Sequence, residues 1–113
     1  KIELEDEIKL AEDEIIYDKE QASKEIGIDL ETFNELFEDY IVESKTLVEA
    51  IYDDVQNNNM DGYKQKALKL KSMSGNMRIF NFIDELNTIS SSDDRQTIED
   101  ALNIIKSKLN TIY

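Results

Sequence analysis

The chain has 113 residues, a net charge of −13 and 40% apolar residues, enough for one domain with a core. It contains no Cys, no His, no Pro and no Trp. Those absences exclude a disulfide framework, a thiolate zinc site, a cysteine nucleophile and every histidine-dependent triad or metal site.

The first amphipathic stretch carries Leu4, Ile8, Ala11 and Ile15 at helical spacing, with acids between them. Residues 1–17 therefore read as an acidic helix or connector, and residues 18–113 as a bundle. Seven acids between Glu3 and Glu14 read as a solvated helix face. Because it begins at Lys1 rather than Met, the chain is expected to be a fragment of something longer.

Asp18 is placed to cap a short helix with Ala22 and Ile26 inward and Gly27 at its end. Asp29 caps the next. There Phe33, Phe37, Tyr40, Ser44, Leu47, Ile51 and Val55 step by four and three, with Ile41 and Val48 beside them. Asn57, Asn58 and Asn59 break that helix, and Asn59 caps its successor. Tyr63, Ala67, Leu70, Ser74 and Met77 form the next stripe. Phe82, Ile83, Leu86 and Ile89 form a shorter one. Residues 90–94 read as a loop and cap, and Ile98, Leu102, Ile105, Leu109 and Ile112 mark the last helix. Nothing has the alternation of a strand. The expected fold is all-α: an up-and-down antiparallel four-helix bundle with one or two additional N-terminal helices.

No apolar run approaches the roughly 20 residues of a membrane span. No signal peptide is visible, and absence of Cys fits a reducing compartment, so a cytoplasmic location is expected. Acidity argues against nucleic acid or membrane binding. The charge is uneven, however. Residues 62–78 contain no acid and five bases, Lys64, Lys66, Lys69, Lys71 and Arg78.

That segment is a helix whose phase is informative. At about 100° per residue, Leu70 points to the core and Leu68 lies almost opposite. Around Leu68 lie Lys64, Lys71, Ser72 and Gly75. An outward Leu ringed by lysines and small residues is a docking candidate, although a single exposed Leu is ordinary.

The stretch from Ala67 to Met77 resembles the signature of histidine-containing phosphotransfer (HPt) domains, in outline Ala-His-x-Leu-Lys-Gly-x-Ser/Ala-Gly-Asn-Leu. Ala67, Leu70, Lys71, Ser74, Gly75 and Asn76 match, and Met77 is a conservative stand-in. Upstream, Asp18 to Ala22, Ile26 to Asp29, and Phe33, Leu36 and Phe37 are similar to the family's lead-in. The resemblance covers roughly residues 18–113. It departs at the decisive position: the phosphoacceptor histidine falls on Leu68, and a glycine that gives access to it falls on Ser72. Arg78 replaces a further common glycine. A leucine side chain has no nitrogen lone pair and forms no phosphoramidate, and nothing in the sequence activates Ser72 or Ser74.

The resemblance thus implies a degenerate member: a non-catalytic interaction module of two-component signalling. It would dock a receiver domain or a histidine kinase without accepting phosphate. In the family the face around the histidine meets a receiver's carboxylate-lined pocket, and Lys71 occupies the position of the lysine that balances phosphoryl charge. Lys64 flanks it. No catalytic residue, cofactor or metal is expected. A structural or oligomerisation bundle of a larger signalling protein, contacting through its acidic N-terminal helix, is the alternative. The run Asn57-x-Asn59-x-Asp61-Gly62 resembles half of an EF-hand loop, but its twelfth position is Leu68 rather than Glu, so a polar turn is expected instead.

Overall fold

The computed structural model describes residues 17–112, which form five helices and no strand. These are α1 (Lys19–Ile26), α2 (Leu30–Gln56), α3 (Met60–Asn76), α4 (Ile83–Ser91) and α5 (Arg95–Ile112). The helix expected on Leu4, Ile8, Ala11 and Ile15 lies outside the described residues.

Helix starts follow the capping chemistry read from the sequence. The Asp18 carboxylate accepts from the Gln21 N–H at 3.1 Å and Asp29 from Thr32 at 2.7 Å. Asn59 accepts from Gly62 at 3.2 Å, and Asp94 from Thr97 at 2.9 Å. Each satisfies an amide that has no partner within its own helix. α1 ends at Gly27, whose φ of 90° is left-handed.

The end of α3 is more demanding. Arg78 has φ of 60°, a region where glycine sits without steric cost. The Ile79 N–H reaches the Ser74 carbonyl at 2.8 Å and the Arg78 N–H reaches Gly75 at 3.0 Å. This paired pattern is a Schellman closure built on a non-glycine residue. The Arg78 side chain supports it, donating to the Gly75 carbonyl at 3.2 Å and pairing with Glu25 at 3.3 Å.

α2 packs against α1, α3 and α5, and α4 packs between α3 and α5. The core collects the inward stripes named above, with Phe33, Phe37, Ile51, Leu70, Leu86, Ile89, Ile98, Leu102, Ile105 and Leu109 fully buried. Three features differ from the sequence expectation. α4 continues through Ser90 and Ser91, whose hydroxyls donate back to the Asn87 carbonyl (3.1 and 2.8 Å), and only a short connection is left. Ile83, expected inward, is half-buried at the first turn of α4. Ile79 is buried in the α3–α4 connection, where no helical period marks it.

Tyr17 closes one end of the body. Its ring stacks on Phe37 (centroids 5.7 Å apart) and its hydroxyl donates to the Met77 carbonyl at 3.0 Å. No helix among the described residues is long and apolar enough to cross a membrane.

Candidate docking face on the third helix

The rotation of α3 about its axis decides what it presents outward, and three contacts fix it. Near its start, the Lys66 ammonium meets the Asp54 carboxylate of α2 at 2.6 Å. Gly62 packs against that corner so closely that an added Cβ would stand 2.6 Å from an Asp54 oxygen. On the α4 side, the Tyr63 hydroxyl donates to the Ser92 carbonyl at 2.8 Å. Further along, Tyr40 of α2 and Ser74 share a buried hydrogen bond of 2.6 Å. With Tyr63, Ala67, Leu70, Ser74 and Met77 turned inward, Leu70 is 0% exposed.

Leu68, two residues from Leu70, is 53% exposed. The structure therefore places it where helical phase puts it. Lys64, Leu68, Lys71 and Gly75 follow one another at intervals of four, three and four residues, which is one stripe of a helix. Ser72 beside them is exposed. Above Gly75 the space is open, since a Cβ added there would meet nothing within 4 Å. The five residues singled out in the sequence thus share one outward face.

The basic island, residues 62–78, is largely paired within the fold. Four of its five bases are paired with acids supplied by other elements. Lys64 binds Asp93 of the α4–α5 connection at 3.0 Å, and Lys66 binds Asp54. Lys69 meets Glu43 of α2 at 3.5 Å, and Arg78 meets Glu25 of α1. Lys71 makes no ion pair among the described residues. Much of the island thus complements acids within the fold, and one unpaired ammonium remains beside Leu68. The exposed pairs of Lys64, Lys69 and Arg78 each contribute little to stability.

These pairings join residues far apart in sequence, so the local pattern carried no sign of them. The charge asymmetry was the available hint, and only the topology shows which acids meet which bases.

Several ionisable groups are displaced in the direction that keeps their ordinary charge state near neutrality. The Lys64 ammonium is held above the usual lysine value, chiefly by its hydrogen bond to Asp93. Burial raises the phenols of Tyr17, Tyr40 and Tyr63. Ser72 is an exposed alcohol.

No cluster of three or more Asp and Glu among the described residues is arranged to hold a metal ion. The half EF-hand pattern is accounted for by its position. Residues 60–68 are helical and do not form a loop, and the Asn59 side chain is engaged in the cap of α3. No protein-family model, curated protein or solved structure matches this chain.

Proposed function

We propose that this chain is a degenerate HPt-like module that docks a receiver domain, or the histidine kinase feeding it, without accepting a phosphoryl group. In this reading α2 to α5 form an up-and-down antiparallel four-helix bundle and α1 is the additional N-terminal element. The protein works in the cytoplasm, in a two-component or phosphorelay pathway, as a binding module and not an enzyme.

The observation that carries the reading is Leu68. It stands outward, half exposed, at the place where the resembled family has its reactive imidazole. An aliphatic group there offers apolar contact and no phosphorylation chemistry. Lys71 beside it supplies one free positive charge for an acidic pocket, and the open space over Gly75 admits a partner's backbone. Electrostatic complementarity of this kind orients the encounter more than it tightens it.

Titration with purified receiver domains tests the proposal. Replacing Leu68 with Glu removes burial worth about 1.5–3 kcal/mol, so binding weakens at least about tenfold while helicity is unchanged. Incubation with a phosphorylated receiver leaves the chain unlabelled. Unchanged affinity for Leu68→Glu, or a stable label on the chain, overturns it.

A second reading, a structural or oligomerisation bundle, draws on the internal pairing of Lys64, Lys66, Lys69 and Arg78. Sedimentation separates the two. A dimer that dissociates when residues 1–17 are removed favours the structural role.

A further inference from the structure

We infer that Asp93 is a built-in competitor on the docking face, holding Lys64 until a carboxylate of an acidic receiver surface takes its place. The inference rests on the docking reading above and adds a residue that sets the strength and salt dependence of the contact.

Lys64 belongs to the same outward stripe as Leu68 and Lys71, one turn before Leu68. Its ammonium is 3.0 Å from the Asp93 carboxylate, and that acid's side chain is 67% exposed. Asp93 therefore puts a negative charge at the edge of the face, adding to that of exposed Asp61, which lies one turn before Lys64 on the same helix. An approaching acidic surface meets Asp93 as a like charge and finds Lys64 already engaged.

The backbone around Asp93 is held on both sides. The preceding Ser92 carbonyl accepts from Tyr63, and the following Asp94 caps α5 through Thr97. Exchange of partners at Lys64 thus needs only a side-chain rotation of Asp93, not a loop movement. An exposed pair is weak enough to be displaced by another carboxylate.

Glu43 provides an internal control. It clamps Lys69, another lysine of the island, at 3.5 Å. Lys69 lies about 100° round the helix from Leu68, on the flank facing α2, whereas Lys64 is within about 40° of it. Asp93→Asn and Glu43→Gln each remove one negative charge from the same protein, but only the first frees a lysine on the stripe.

The test is binding of unphosphorylated receiver domains to the full chain at low and moderate salt. Asp93→Asn is expected to raise affinity about two- to fivefold, mainly through faster association, with a steeper salt dependence. Glu43→Gln is expected to change it less than about twofold. Equal gains in both variants overturn the inference, because net charge alone then explains them. No gain in Asp93→Asn also overturns it, while loss of binding in Leu68→Glu leaves the docking reading standing. If Leu68→Glu binds normally, or no receiver binds any variant, the docking reading itself fails and the inference with it.

A second measurement needs no partner. Titration of the Lys64 ammonium by NMR is expected to show its pKa falling toward the ordinary lysine value in Asp93→Asn and staying raised in Glu43→Gln. An unmoved Lys64 in Asp93→Asn overturns the inference whatever the binding data show.

Discussion

Tyr40 and Ser74 meet across α2 and α3 in a hydrogen bond of 2.6 Å, with both residues almost wholly buried. The bond sets how α3 is rotated against α2, and so which side chains of α3 face outward. Ser74→Ala leaves the Tyr40 hydroxyl inside the core without this partner, at a cost of about 1–3 kcal/mol. The double variant Tyr40→Phe with Ser74→Ala is expected to lose less than the sum of the single losses. Urea unfolding of the four proteins measures this coupling, and strict additivity would show that the bond does not hold the helices together.

Leu68 and Leu70 provide a direct check of helical phase. Leu70→Ala opens a cavity in the core and is expected to cost about 2–5 kcal/mol. Leu68→Ala is expected to change stability by no more than about 0.5 kcal/mol, as at other exposed sites. Thermal or denaturant unfolding distinguishes the two, and a large loss in Leu68→Ala would mean that this side chain is packed inside.

The left-handed backbone at Arg78 predicts an unusual tolerance. Arg78→Gly relieves roughly 1 kcal/mol of steric cost and gives up a surface ion pair worth about as much or less. Stability should therefore hold or rise slightly. Arg78→Val places a β-branched side chain at the same φ and should lower the melting temperature clearly. Gly27→Ala, at φ of 90°, should destabilise as well.

Stability should fall at both ends of the pH scale. Hydrogen bonds from Thr32 hold the Asp29 carboxyl below its ordinary value, those from Thr97 do the same for Asp94, and those from Gln56 and Arg95 lower Glu99. A lowered folded-state pKa gives stability that is complete above the unfolded value and lost as pH falls through the folded one. Acid unfolding should therefore set in below about pH 4, the ordinary carboxylate range. Lys64 and the buried tyrosines are displaced upward. Their contribution is complete below the unfolded values and lost as pH rises, above about pH 10. Circular dichroism across pH measures both limbs. In Asp29→Asn the acid limb should be shallower.

The helices and the outward position of Leu68 were legible in the sequence for one physical reason. Inward positions such as Phe33, Phe37, Ile51 and Leu70 repeat with the helical period, and Asp18, Asp29, Asn59 and Asp94 are short polar caps just before their stripes. These signals are local. What stayed hidden depends on distant parts of the chain. Nothing near Lys64 announces Asp93, and nothing near Tyr17 announces the Met77 carbonyl. Ile79 is buried within a connection, where periodicity has nothing to act on. The basic island was visible, but its pairing with Asp54, Glu43 and Glu25 required the packing of α1 and α2 beside α3.

In the proposed function the outer face of α3 is the contact surface. Mapping backbone amide shifts of the isotope-labelled chain during titration with a receiver domain tests it most directly. The largest shifts are expected at Lys64, Leu68, Lys71, Ser72 and Gly75, with the α2–α5 side around Lys45 and Lys106 little changed. Shifts concentrated around Lys45 and Lys106, with α3 silent, would contradict it.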